Sequence, residues 1–138
     1  MSKHKGKRII TGKSLPPAKG PYSVAVRAGD FLFISGMVPV VPETGEVMRG
    51  DFEQAVRRVM ENLQAILAAA GADLSAVVKT TVFLADLERF ADFNRIYGEY
   101  FAGEPPARTT VQAARLPLDV DLEVEAVAYV PSDPQPVG

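Results

Sequence analysis

The sequence predicts an α+β fold: a single mixed β-sheet with two helices on one face, in the order β-β-α-β-α-β-β. Short segments of alternating or continuous apolar residues indicate the strands, and two longer segments with apolar residues at three- and four-residue steps indicate the helices. Each helix follows a strand, so right-handed crossovers would place both helices on the same face of the sheet. The other face would have no cover within the chain.

The first two strands are predicted to form a hairpin. Residues 22–28 alternate between polar and apolar side chains, Gly29 and Asp30 supply a turn, and residues 31–35 continue as the second strand. A short strand is also possible at residues 8–10. The segment 36–50 reads as a loop with a turn at Pro42-Glu43-Thr44-Gly45.

The first helix has the clearest periodicity. Asp51 is a suitable N-cap and Gly71 a suitable residue after the C-terminus. One apolar stripe is formed by Phe52, Val56, Val59, Met60, Leu63, Ile66, Leu67 and Ala70.

A β-branched strand over 77–84 and a second helix follow. Asp86 is a candidate cap for this helix, and the prolines of Gly103-Glu104-Pro105-Pro106 end it. The side chains expected to face the core are Phe90, Phe93, Tyr97, Tyr100 and Phe101.

Two further strands are predicted at about 109–115 and 122–130. The short link 116–121 suggests that they pair as an antiparallel hairpin. The uncovered sheet face would expose a large apolar patch, so self-association is expected.

Composition limits the chemistry. The 138 residues form one domain, 1–138, with an N-terminal arm at 1–14 and a proline-rich tail at 131–138 that is expected to be disordered. Net charge is −2, and the one basic run lies in the arm, which argues against nucleic acid and membrane partners. The chain has no cysteine and a single histidine, His4, so thiol chemistry and a metal site are not expected. With no membrane span or signal peptide, a cytoplasmic location is expected.

Arg108 and Glu123 are the candidate catalytic residues. A guanidinium holds a small carboxylate through two parallel hydrogen bonds, and a glutamate can orient or deprotonate water. The alternatives are a surface ion pair for Arg108 and an intersubunit ion pair or a solvated strand face for Glu123. Glu125 shares the face of Glu123 by alternation and is its rival. In the predicted hairpin, Glu123 would lie about 20 Å from Arg108 along the strand, so the two would meet only between subunits.

Ordered sequence blocks carry a family resemblance. They are Gly20-Pro21-Tyr22-Ser23, Ser35-Gly36-Met37-Val38-Pro39, Glu61-Asn62-Leu63, Ala70-Gly71, Val78-Lys79-Thr80-Thr81-Val82-Phe83, Asn94 with Tyr97, Pro106-Ala107-Arg108 and Leu122-Glu123-Val124-Glu125-Ala126. In this order and spacing the chain resembles the RidA/YjgF family of reactive imine deaminases, over roughly residues 15–130.

The resemblance implies a homotrimer of chorismate-mutase-like subunits with sites in the clefts between them. It implies hydrolysis of 2-imino acids, such as 2-iminopropanoate and 2-iminobutanoate, to 2-keto acids and ammonia, without a cofactor or metal. Arg108 resembles the carboxylate-binding arginine, and Glu123 resembles the water-positioning acid. The other substrate-binding candidates are Tyr22, Ser35, Gly36, Asn94 and Thr110.

Three positions depart from the family pattern. Met37 stands where many members have Gln, Thr109-Thr110 replaces a common Ser-Cys pair, and Ala55 stands where Thr is frequent. Two other functions stay open from the sequence: a ribonuclease or translation inhibitor acting on RNA, and a non-catalytic small-carboxylate sensor or chaperone-like trimer. The first has little support, because no basic stripe is evident.

Overall fold

One mixed six-stranded sheet and two helices make up the fold of the computed structural model, which describes residues 6–131. The strand order is β1-β2-β3-β6-β4-β5. The elements are β1 Lys7–Ile9, β2 Ala25–Ala28, β3 Phe31–Met37, α1 Phe52–Ala69, β4 Val77–Leu84, α2 Phe90–Tyr100, β5 Ala107–Gln112 and β6 Leu122–Tyr129.

The first helix and the strand after it confirm their predictions. The Asp51 side chain accepts a hydrogen bond from the backbone N–H of Gln54 at 3.1 Å, as an N-cap does. Gly71 follows the helix with φ +79°, a conformation that strongly favours glycine. Strand β4 has the predicted bounds: a 3-10 turn over Leu74–Ala76 directly precedes it, and another over Leu87–Arg89 follows it.

The second helix begins later than its sequence suggested, and one core prediction is wrong. Asp86 caps a single 3-10 turn over Leu87–Arg89, and α2 starts only at Phe90. The Phe90 side chain is 42% exposed, because this first turn lies at the edge of the helix layer. Ile96, absent from the predicted set, is fully buried in its place.

The predicted hairpin between the last two strands is also wrong. Strand β5 pairs in parallel with β4, while β6 lies between β3 and β4 and is antiparallel to both. The reason is burial. The alternating apolar residues of β6 need cover at the centre of the sheet, whereas the polar side chains of β5 suit an edge. Strand β5 also begins at Ala107, so Arg108 lies within the strand and not before it.

The sheet has one covered and one uncovered face, as predicted. Alternate residues of β3, β4 and β6 form the core with α1 and α2. The opposite face carries apolar side chains that are two-fifths to one-half exposed: Phe31, Phe33, Val111 and Tyr129. An ion pair from Arg57 to Glu99 at 2.9 Å joins α1 to α2, and Arg57 also pairs with Glu53 within α1 at 2.9 Å.

The arm is anchored to the domain edge. Strand β1 begins one residue before the predicted short strand and pairs with β2, and Ile10 and Leu15 reach the core. His4 and, apart from Pro131, the predicted tail 131–138 lie outside the described residues. Between residues 6 and 131 no helix is long and apolar enough to cross a membrane.

Candidate functional site

Arg108 lies on the edge strand β5 with its side chain on the helix-covered side. One guanidinium nitrogen donates a hydrogen bond to the Asn94 side-chain oxygen at 2.7 Å. Asn94 belongs to α2, the crossover helix between β4 and β5. The structure therefore brings together two of the candidate residues, and the amide fixes the direction of the guanidinium.

Three aromatic rings of α2 surround the same guanidinium. Its central carbon lies 4.9 Å from the ring centre of Tyr97, 5.5 Å from that of Phe90 and 5.6 Å from that of Phe93. These distances are in the range of cation–π attraction. Within residues 6–131 no carboxylate lies within ion-pair distance of Arg108. Its charge is held by neutral groups, which leaves guanidinium donors for an external anion.

The Tyr97 side chain connects the Arg108 guanidinium to strand β4. Its hydroxyl is 2.7 Å from the hydroxyl of Thr80, which is fully buried in β4 beside Arg108 in the strand register. Burial raises the pKa of Tyr97, so the ring stays neutral beside the arginine. The periodicity of α2 predicts only a core position for this ring. The spacing of Phe90, Phe93 and Tyr97, which repeats on one helix face, is the signal that could have shown a shared surface.

Thr110 lies two residues beyond Arg108 on the same side of β5. Its hydroxyl oxygen is buried and has no hydrogen-bond partner among the described residues. An unpaired buried hydroxyl is unfavourable, so this oxygen would gain from a water or a ligand.

Glu123 lies on β6 and packs against Gly36 of β3. A Cβ on residue 36 would stand 2.7 Å from the carboxyl carbon of Glu123 and 2.9 Å from its Cγ, closer than real contacts allow. The β3–β6 register is interrupted between Ile34 and Met37, so Gly36 sits in this irregularity. Only a glycine leaves room for the carboxylate at this place.

The surroundings of Glu123 favour its protonated form. Partial burial raises the pKa of Glu123, and the charge of Glu125, two residues along the same face, raises it further. Glu125 itself is exposed. A carboxylate whose pKa is raised towards neutrality is better suited to exchange a proton than a fully solvated one.

The remaining candidates lie near Gly36. The Ser35 hydroxyl donates to the backbone oxygen of Ser23 at 2.7 Å. The Tyr22 ring is 51% exposed, and its hydroxyl accepts a hydrogen bond from the backbone N–H of Lys19 at 3.2 Å. Tyr22 and Gly36 line one small cavity of about 30 Å³ together with Met37. Met37 is otherwise buried, so no polar side chain is presented at this position.

The candidates thus form two groups on opposite faces of the sheet. Arg108 pairs with Thr80 in the register, and Glu123 pairs with Phe83. Two strand spacings and three residues of rise separate their backbones by about 14 Å, and their side chains point to opposite faces. The separation of Arg108 and Glu123 that the hairpin predicted is therefore wrong. One chain still does not bring the two groups to one small ligand.

A metal centre finds no support in residues 6–131. No group of three or more histidine, cysteine, aspartate or glutamate side chains there is placed to hold a metal ion.

The protein therefore has a small α+β fold with an open sheet, and the Arg108 guanidinium is oriented so that it can bind an anion. The sequence model of the family described as endoribonuclease L-PSP matches residues 12–130. The chain belongs to this family, which is the RidA/YjgF family.

This chain is similar to three relatives, two of them over nearly their whole length and one over about two thirds of it. A RutC family protein of Pyrococcus horikoshii is 49% identical over 123 residues, covering 89% of this chain and 98% of the relative. Reactive Intermediate Deaminase A, chloroplastic, of Arabidopsis thaliana is 43% identical over 122 residues, covering 88% and 65%. The crystal structure of Escherichia coli TdcF with bound serine superposes with a TM-score of 0.84 at 42% identity, covering 88% and 98%.

Proposed function

We propose that this protein is a hydrolytic deaminase that converts reactive 2-imino acids, such as 2-iminopropanoate and 2-iminobutanoate, to 2-keto acids and ammonia. The observation that carries the proposal is Arg108. Its guanidinium is oriented by Asn94 and by aromatic rings, and within residues 6–131 no carboxylate neutralises it. Such a group is suited to bind the carboxylate of a small acid through two parallel hydrogen bonds.

Glu123 supplies the second part of the reaction. A water beside its carboxylate attacks the imine carbon, and Glu123 accepts the proton that the water loses. Glu123 returns this proton to the nitrogen, which gives an adduct with one hydroxyl and one amino group. The hydroxyl proton then passes through Glu123 to the same nitrogen, the carbonyl forms as the carbon–nitrogen bond breaks, and ammonia leaves. The products are the 2-keto acid and ammonia, and the water provides the new oxygen. The substrate is already electrophilic, so positioning and one general base account for the chemistry without a covalent intermediate.

The two groups would meet between subunits. Arg108 and Glu123 lie on opposite faces of the sheet, so we propose a homotrimer in which neighbouring chains each contribute one group. The exposed apolar side chains of the uncovered face, such as Phe33 and Tyr129, favour such an assembly. Sedimentation at micromolar concentration should give about three times the chain mass of 14.8 kDa. A clean monomer would remove the intersubunit site.

Two relatives support this activity class. One of them is named a reactive intermediate deaminase, and the crystal structure of another contains bound serine, an amino acid with a carboxylate. Arg108 is the group in this chain that fits such a carboxylate.

The test is direct. An amino acid oxidase generates 2-iminopropanoate or 2-iminobutanoate in the cuvette, and semicarbazide traps the imine that survives. The protein should lower the yield of the semicarbazide adduct in proportion to its concentration, while ammonia release continues. An unchanged adduct yield with both imines would refute the deaminase proposal.

A non-catalytic small-carboxylate binder is the second candidate, because serine in the TdcF crystal is not an imine. Saturable binding of serine or a 2-keto acid by calorimetry, together with no loss of adduct, would favour this function. Both results depend on Arg108, but only turnover depends on Glu123.

A further inference from the structure

A cavity of about 500 Å³ lies under the N-terminal arm, away from Arg108. It is lined by residues 9–13 and 15–18 of the arm side, by residues 22–24 just before β2, and by Pro42. This volume is typical of small-molecule sites. Arg108 lies on β5 at the opposite edge of the sheet from β1 and β2.

The wall formed by the arm is held in place. Strand β1 pairs with β2, and the backbone N–H of Ile10 donates to the oxygen of Ala25 at 3.1 Å. The side chains of Ile10 and Leu15 are buried in the core, with 6% and 7% exposure. The cavity is therefore formed before any ligand arrives.

Its lining is apolar except for a few groups. The apolar part includes Ile9, Leu15, Pro16, Pro17, Val24 and Pro42. Lys13 is the one charged side chain among the described residues that line it. Lys13 is exposed and forms no ion pair within residues 6–131, and no carboxylate of those residues lines the cavity.

Charge is distributed unevenly along the chain, and the cavity lies at the positive end. The first twenty residues contain six lysines and arginines, and the first acidic residue is Asp30. The rest of the chain carries nine basic and seventeen acidic residues. The positive charge of this first segment favours an anion near the arm.

We infer that this cavity binds an amphiphilic carboxylate, with the carboxylate at Lys13 and the apolar body against the prolines and aliphatic side chains. The inference does not depend on the deaminase proposal. Tyr22 lines the cavity as well as the smaller one beside Gly36, so binding is measured directly and not through turnover.

The probe is decanoate below its micelle concentration, measured by isothermal titration calorimetry with the full chain. Saturable binding is expected. Lys13→Met should weaken it roughly tenfold or more, because a charge-assisted contact is lost, and Lys13→Arg should retain it. Lys7→Met is the matched control, since Lys7 is an exposed arm cation that does not line the cavity, and it should change affinity less than about threefold.

Location is tested by backbone amide shifts, which decanoate should change at Thr11, Gly12, Lys13 and Ser23. Ala18→Phe, which places a ring in the cavity without changing charge, should abolish binding while circular dichroism stays unchanged. The inference is overturned by an absence of saturable binding, by equal losses in Lys13→Met and Lys7→Met, or by decanol binding as tightly as decanoate. Amide shifts confined to the uncovered sheet face would overturn it as well.

Discussion

The Glu123 side chain occupies the space that a Cβ of residue 36 would need. Its carboxyl carbon lies 2.7 Å from that position, so the glycine and the acid fit each other across the β3–β6 pair. The backbone of Gly36 does not have a positive φ, so the constraint on this position is steric and comes from Glu123.

Gly36→Ala should therefore damage activity more than stability. The flexible carboxylate can rotate away from the new methyl group, and a displacement of about 1 Å at a catalytic group lowers turnover by roughly ten- to a hundredfold. Deaminase rates and urea denaturation measure the two effects. Gly98→Ala is the control, because nothing lies within 4 Å of its Cβ position in α2 and alanine favours a helix. Equal activity of both variants would show that the position of Glu123 is unimportant.

Arg108→Lys should lose most of the deaminase activity while the protein stays folded. Lysine retains the charge but not the planar pair of donors, and one lost charge-assisted hydrogen bond costs ~1.5–3 kcal/mol. Activity assays and circular dichroism test this. Arg115→Lys is matched to it, since Arg115 is exposed and bonded to Asp119, and should have little effect. More than about half of wild-type activity in Arg108→Lys would argue against a carboxylate clamp.

Two variants show whether Glu123 or its neighbour Glu125 is the general base. Glu123→Gln should be nearly as damaging as Arg108→Lys, because the amide cannot accept the proton from water. Glu125→Gln should be much milder, since Glu125 is exposed and lies farther along the strand. Initial rates of both variants with the same imine decide the question, and the reverse order would assign the base to Glu125.

Glu123 should also affect the pH dependence of stability. Its pKa is raised in the folded protein above the ordinary value of 4.5, so the folded state binds this proton more tightly than the unfolded chain does. The free energy of unfolding therefore decreases as pH rises from the ordinary value of 4.5 through the raised pKa of the folded protein. Glu123→Gln should melt at a higher temperature than the wild type at pH 7 and at the same temperature near about pH 4. Glu104→Gln, at an exposed glutamate, should leave the pH dependence unchanged.

Mixed assemblies test the division of the site between chains. Inactive Arg108→Ala and Glu123→Ala proteins, refolded together in equal amounts, should regain about a quarter of wild-type activity if each site takes one group from each neighbour and sites are independent. Each variant refolded alone is the control. Mixed trimers that stay inactive would mean that one chain supplies both groups.

Local patterns predicted the elements better than their pairing. The helix α1, with its cap at Asp51, and strand β4 are specified by residues within each segment. The partner of β6 is not, because the short link 116–121 is compatible with a hairpin, while burial at the sheet centre depends on β3, far away in sequence.

The candidate site also depends on strand pairing that local sequence patterns do not specify. Residue chemistry suggested Arg108 and Glu123, the family resemblance implied their roles, and those roles stay predictions. Their placement on opposite faces follows from the parallel β4–β5 pair, which local sequence patterns do not predict. The ring of Phe90, expected in the core, lies exposed beside the Arg108 guanidinium, because helix periodicity does not distinguish the core from a neighbouring edge strand.

The central position of β6 has a consequence for the order of folding. Arg108 and Asn94 are only 14 residues apart and belong to one β4–α2–β5 unit, so their contact closes a short loop. Glu123 reaches Gly36 only when β6, which follows β5 along the chain, inserts between β3 and β4. During synthesis the arginine can acquire its surroundings while the sheet still lacks its middle strand. We expect the acid to join the glycine later, once β6 has been synthesised.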